Sequence, residues 1–488
     1  MRVLLYFIGC IISAYPLVVS AQDAPQEETT TQREEELFGS DKSDTRTNLE
    51  SDLFGSDNEN APQQATDSRE DALFGTDSST IAGTSTESGD RLEALIASRE
   101  ERLALGGGFY WDTQWRFEEG AGVDPSVISP ALLSLYLDAR PNDDLRLYTR
   151  GRVLHQMSYQ NDDASGDRTQ AELDQLWLKT HADNAVYFTF GLQPVRWGVG
   201  RVWNPTDFLN ATQKDPFALV DTRGGLPLVK VHIPFEEEGA NLYGIVNWDS
   251  LQEMKKTYAA IRGELLIGTA ELTLSAAAGK GSPTRFATDL STPLGPLDLR
   301  LEASWTQGVT YAEGWEDLAA FIQPDVEVDA PLEDYLRALV GLEWAINYSD
   351  TRSFFVGAEY FYNQAGTTDS DNYLVTLARG DGTFLYLGQH YLAAYIVFPG
   401  LGAERSYSAF LNTVVNLNDQ TALLRADFRA SLYRNLSLAL SLTRYLGDQG
   451  EFRFQFDVPA VPGVDGLENG LQVRATTWVP QISVQMGF

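Results

Sequence analysis

The groups in this sequence best placed for chemistry are charged side chains recurring two or four residues apart. Arg425, Asp427 and Arg429 form one such row. Arg146, Arg150 and Arg152 form a second, and Asp298, Arg300 and Glu302 a third. A spacing of two puts side chains on one side of a strand. A stripe of mixed charge facing a lumen holds water and sets a transverse field, whereas the same stripe tied up in cross-strand ion pairs merely keeps a wall polar. Arg146, Arg150, Arg152, Arg300, Glu302, Arg425, Asp427 and Arg429 are therefore the lumen-facing candidates.

A second group lies close together in the chain. Arg196, Trp197, Arg201 and Asp207 sit in a stretch with Gly198, Gly200 and Pro205, which allow sharp turns and a stiff exit. If Arg196, Arg201 and Asp207 pair, they pin a loop inside a lumen as a constriction, or clamp it to a wall. Catalysis would need a nucleophile or an activated water held by a base. His155, His181, His232 and His390 are the only histidines, and no Ser or Asp stands at a recognisable spacing from them. An enzyme is not expected, nor is any metal or cofactor.

A third group is apolar. Leu37-Phe38-Gly39-Ser40-Asp41 recurs as Leu53-Phe54-Gly55-Ser56-Asp57 and as Leu73-Phe74-Gly75-Thr76-Asp77. The copies lie in residues 22–90, where eighteen acidic residues face Arg33, Lys42, Arg46 and Arg69. So polar a stretch cannot bury a core and is expected to be a disordered acidic tail. Leu37, Phe38, Leu53, Phe54, Leu73 and Phe74 read as partner-binding pairs, the apolar residues filling a pocket while the acids steer. The bland alternative is duplication within a tail under weak selection.

These groups need elements to position them. The chain has 488 residues, with 36 basic and 69 acidic side chains and a formal charge of −33. That field repels a phosphate backbone and excludes nucleic acid as a partner. One cysteine excludes a disulfide framework and a cysteine-rich metal site. A mean hydropathy of −0.24 excludes a bundle of transmembrane helices. Residues 1–21 read as a signal peptide: Arg2, an apolar run from Leu4, then Val19-Ser20-Ala21 as the cleavage site. Cys10 after Gly9 raises a lipoprotein alternative, but the apolar run continues past it. Residues 91–105 read as a short amphipathic helix, broken by Gly106-Gly107-Gly108.

From 106 to 488 the period is two. Leu436, Leu438, Leu440 and Leu442 alternate with Ser437, Ala439, Ser441 and Thr443. Trp478, Pro480, Ile482, Val484, Met486 and Phe488 alternate with smaller or more polar residues. The opposite faces carry charges, and strand ends carry Trp344, Tyr348, Tyr360, Tyr362, Tyr433 and Tyr445, as an interfacial girdle would. An apolar face turned to lipid requires the strands to close on themselves. The expected fold is all-β, a transmembrane antiparallel β-barrel of about 16–18 strands. Eighteen strands can be marked, the fourth alternating poorly. Every long connection (196–227, 309–332, 364–386, 447–477) falls at an odd position. Short turns on the periplasmic side and long loops outside then place both termini, and the tail, in the periplasm.

The signal peptide, the alternating strands and the terminal Phe488 resemble Gram-negative outer-membrane β-barrel proteins of the porin type over 106–488. The stretch Gly191-Leu192-Gln193-Pro194-Val195-Arg196-Trp197-Gly198 through Asn204-Pro205-Thr206-Asp207 is similar to the "GxQ…WG…NPxD" segment of the DUF1302 group of barrels. That resemblance implies an outer-membrane barrel in a group linked to RND-type exporters of lipid or hydrophobic compounds. The expectation is a porin-like channel or export barrel passing a solute or hydrophobic compound across the outer membrane. Its partners would be the lipid bilayer, the barrel-insertion machinery acting on Phe488, and a periplasmic protein of an RND-type exporter docked on the tail. The alternative is a structural barrel that anchors the tail as a scaffold for a periplasmic complex.

Overall fold

The computed structural model describes residues 102–488 except 121–124, 161–162, 165–166, 184, 211–212, 214, 219–222, 249–256, 281, 312–314, 317–330, 350–351, 380–382 and 459–470. The signal peptide, the tail with its three motifs, and residues 91–101 of the expected helix lie outside the described residues.

Eighteen long strands form the wall. They are β1 (Leu103–Glu118), β2 (Ser126–Asn142), β3 (Leu145–Gln160), β4 (Arg168–Ala182), β5 (Val186–Gln193) and β6 (Leu226–Phe235). Next come β7 (Ala240–Trp248), β8 (Thr257–Ile267), β9 (Ala270–Lys280), β10 (Ser282–Leu294), β11 (Leu297–Gln307) and β12 (Asp334–Ser349). The last are β13 (Arg352–Asn363), β14 (His390–Leu401), β15 (Tyr407–Asn416), β16 (Ala422–Tyr433), β17 (Leu436–Leu446) and β18 (Thr476–Gly487). Each pairs antiparallel with its sequence neighbours, and β1 pairs with β18, Trp111 opposite Val484, so the sheet closes. One short helix, α1 (Tyr373–Arg379), lies in the connection between β13 and β14.

The two faces are inverted relative to a soluble protein. Leu274, Phe428, Leu440 and Leu442 are exposed on the outside, while Arg262, Glu264, Asp289, Arg300, Glu302, Glu343 and Glu359 are buried on the inside. An apolar exterior with a polar interior is stable only where hydrocarbon replaces water outside. Even-numbered connections are short: 143–144, 268–269, 295–296 and 434–435 are typical. The long ones, 194–225, 308–333, 364–389 and 447–475, all leave from the other rim.

Three expectations need correction. Leu103-Ala104-Leu105 do not end a helix; they open β1, paired with Ala139, Asp138 and Leu137. The glycine triplet that follows breaks nothing and lies within β1. A Cβ on Gly106 would come within 2.6 Å of the Tyr136 hydroxyl, and one on Gly107 within 2.8 Å of the Phe488 ring. The glycines give these rings a bed at the seam, where Phe488 and Gly107 exchange two main-chain hydrogen bonds. Tyr445 faces inward and packs with Trp203 and Leu423, so it belongs to no girdle. Trp344, Tyr348, Tyr360 and Tyr433 do face outward, each well exposed.

The poor alternation of the fourth strand has a cause. Arg150 pairs with Gln175 and Gly151 with Leu173, so Asp174 is an extra residue on β4. This bulge turns both Asp174 and Gln175 inward while Leu173 and Leu176 stay outside, 48% and 42% exposed.

Candidate functional site

The connection 194–225 turns back into the barrel and lies along its inner wall. Its first residues fill an apolar bed: Val195, Trp197, Phe208 and Leu209 pack with Leu228, Tyr243, Ile245 and Tyr258 from β6, β7 and β8. Trp197 meets Phe208 edge to face and lies over the Arg262 guanidinium at 5.2 Å. Arg262 is itself held by Glu264 at 3.1 Å and Asp289 at 3.3 Å. A buried guanidinium needs such partners, because unpaired charge in a dry site costs several kcal/mol.

Beyond Trp197 the loop meets three carboxylates on adjacent strands. Glu302 on β11 accepts from the amides of Val199 (2.5 Å), Gly200 (2.6 Å) and Thr206 (3.2 Å) and from the Thr206 hydroxyl (2.9 Å). Glu359 on β13 accepts from the amides of Arg201 (2.5 Å) and Val202 (2.9 Å). Glu343 on β12 receives the guanidiniums of Arg201 and Arg300, both at 3.1 Å, and the Tyr395 hydroxyl at 2.7 Å. Gly341, between Arg300 and Glu359 in the pairing, leaves room for both; a Cβ there would stand 3.2 Å from Glu359. Gly198, at φ 104°, makes the turn that brings main-chain N–H groups to Glu302. The loop thus offers donors and the wall offers anions, a charge-assisted match stronger than neutral pairing.

The tip is Trp203, fully buried. It stacks on Phe361 at 5.2 Å, tilts against Tyr391 and donates from Nε1 to the Leu385 carbonyl. The return limb is tied by Asp207, which accepts from Arg223 at 2.6 Å and Asn210 at 2.8 Å. It ends where the Gly225 amide donates to the Asp174 carbonyl on the bulge of β4.

The remaining wall, β15 to β18 and β1 to β4, carries most of the expected stripes. Arg425 pairs with its strand neighbour Asp427 at 2.8 Å, and Arg429 donates to Gln485. Arg150 meets Asp174 at 3.3 Å; Arg152 meets Glu172 at 2.8 Å and Asp174 at 3.5 Å. Arg146 pairs with Asp138 at 3.1 Å near the short-turn rim. Arg300 and Glu302 stand apart from these stripes, under the loop.

Arg196 lies by Arg150, Arg201 reaches Glu343, and Asp207 takes Arg223. Arg201 meets what β12 presents, whereas Asp207 ties the loop to itself. Trp197 lines no opening; it is buried in the apolar bed. Sequence reading missed Trp203, Glu343 and Glu359 as site residues. Arg201 and Glu343 stand 142 positions apart, and no local pattern links them.

The site and wall define a closed eighteen-strand barrel whose lumen is narrowed by an inward loop. No family model matches the chain, and no curated protein matches it. The likeness of 191–207 to the DUF1302 group therefore finds no support there. Solved structures with a similar course include Pseudomonas putida OprB at high pH, 10% identical, TM-score 0.45, covering 83% of this chain and 100% of that one. Pseudomonas aeruginosa OpdL is 11% identical, with TM-score 0.45 and coverage of 79% and 98%. A mutant of the Rh. blastica porin is 12% identical, with TM-score 0.36 and coverage of 79% and 100%.

Proposed function

We propose that this protein is a porin-like channel of the outer membrane, passing a small hydrated solute through the gap between the 194–225 loop and the arginine-bearing wall. The observation that carries the reading is the clamp of Glu302, Glu343 and Glu359 on the loop. It narrows a barrel this wide, which without it would enclose a broad aqueous lumen. The charged inner wall suits a hydrated solute better than a hydrophobic compound, which would have to leave lipid for a polar surface. Purified protein added to a planar bilayer should give stepwise conductance. Insertion confirmed by heat-modifiable migration, but with no steps, would contradict the reading.

The tail extends the proposal. Leu37/Phe38, Leu53/Phe54 and Leu73/Phe74, three copies on one chain, would bind a periplasmic protein, such as a component of an RND-type exporter, with avidity. Phe488 at the end of β18 would engage the insertion machinery. Changing the three Leu-Phe pairs to Ala should leave conductance intact and remove that partner from crosslinked samples. An unchanged partner set would leave the barrel acting alone.

A further inference from the structure

Glu451 lies in the connection 447–475, outside the spanning strands, and is fully buried. Its Oε1 accepts from the amides of Leu385 (2.6 Å) and Leu387 (3.3 Å) in the 364–389 loop. Its Oε2 accepts from the Tyr391 hydroxyl (2.6 Å) on β14 and from Asn416 (2.9 Å) at the end of β15. Its own amide donates to Asp419 in the 417–421 turn, at 2.8 Å. Asp419 also accepts from the Tyr373 hydroxyl of α1 at 2.7 Å and from Thr421. Glu451 thus joins its own connection to the 364–389 loop through its carboxylate and to the 417–421 turn through its amide.

Two acids meet here without a cation. Among the described residues no Lys, Arg or His pairs with Glu451 or Asp419, and Arg453, two positions on, is turned to Glu119. The other groups facing Glu451 are Tyr373, Tyr391, Asn416 and main-chain amides. Glu451 is fully buried beside the partly exposed Asp419, so a charge on Glu451 would meet a like charge with no cation to offset it.

The clasp also holds a strained residue. Leu385 sits at φ 73°, a conformation that a γ-branched L residue rarely adopts unless its surroundings impose it. Its amide is bound to Glu451, and its carbonyl receives Trp203, the tip of the constriction loop. Releasing Glu451 would let Leu385 relax and free Trp203.

We propose that Glu451 is a proton-operated clasp: neutral, it holds the outer loops over Trp203, and ionised, it lets them go. Burial first, and then the like charge of Asp419, pushes the Glu451 carboxyl up to about 7. In a released, hydrated loop it would return to about 4.3. The clasped state therefore binds the proton more tightly. Closure is fully supported below the hydrated value, and that support is lost as pH rises through about 7. On Oε2 the proton points at the Tyr391 hydroxyl oxygen, which then accepts both from Glu451 and from the Gly388 amide and turns its own hydrogen away from the carboxyl. The inference concerns the outer loops and does not require that the barrel conduct.

The test is hydrogen exchange of the full chain in detergent, read on peptides carrying Leu385 and Leu387 and corrected for intrinsic rates. Between about pH 4.5 and 7, wild-type protection should fall by about tenfold per unit, as expected for one proton, and it should level off above about pH 7. Glu451→Gln, neutral at every pH, should keep the acid-state protection throughout. Protection that is flat with pH in the wild type overturns the clasp, whether or not the variant folds. A folded Glu451→Gln with the wild-type pH dependence overturns it too.

Discussion

Glu302 shows how one side chain on a wall can place a loop that starts many strands away. It spends its acceptor capacity on two successive amides, a third amide and a hydroxyl, so the loop backbone is held by geometry as well as charge. In Glu302→Ala each orphaned donor would cost about 1–3 kcal/mol if it stayed buried. Moving into water relieves that cost, so the expected outcome is release of the loop with the barrel intact. Trypsin should then cut after Arg196 and Arg201 in the variant and not in the wild type. Equal resistance in both would mean that the apolar bed around Trp197 holds the loop unaided. At this scale the sequence was half legible. Arg300, Glu302, Arg425 and Asp427 stand out by their period-two spacing. Glu343 and Glu359 were legible only as charges on a polar face, because their partners Arg201 and Val202 are more than a hundred positions away. Glu451 was not legible at all, since a lone acid in a long loop has no period to reveal it.

The strands were legible because alternation is a local property that a membrane enforces on both faces. All eighteen segments marked on the sequence correspond to strands, with shifts of a few residues at their ends. Where alternation fails in β4, Asp174 is the inserted residue, and the irregularity itself marked the bulge. The helix expected to reach Leu105 failed because three apolar residues suit either period, and only pairing with β2 decides between them. Two outcomes belong to this scale. Leu440→Arg, on the exposed face of β17, should destabilise the barrel by roughly 2–4 kcal/mol if it lies near the midplane, measured by urea titration in lipid. A loss near zero would place β17 differently in the membrane. Gly107→Val should slow closure of β1 on β18, because its Cβ would meet the Ser134 carbonyl at 2.6 Å as well as the Phe488 ring. Gly244→Ala, where a Cβ meets nothing within 4 Å, is the matched control. Equal folding yields for the two variants would show that the seam tolerates bulk.

For the whole molecule, a wall with polar residues inside and apolar residues outside makes a lumen, and the loop bound along β6 to β14 decides how much of it stays open. The wall away from the loop carries Arg425 and Arg429, while Arg150 and Arg152 lie beside the two ends of the loop, near Arg196 and Gly224. The architecture followed from the sequence because lipid, closure and loop parity act on the chain as a whole. The loop's course did not, because it depends on contacts that only the closed barrel brings together. The central claim is that this clamped loop sets the width of a conducting pore. Single-channel recording of the wild type beside the double variant Glu302→Ala/Glu359→Ala tests it most directly. The account predicts discrete steps for the wild type and clearly larger steps for the variant, with altered ion selectivity as the loop leaves the wall. Steps of the same size and selectivity in both, with the variant folded and its loop open to trypsin, would contradict it.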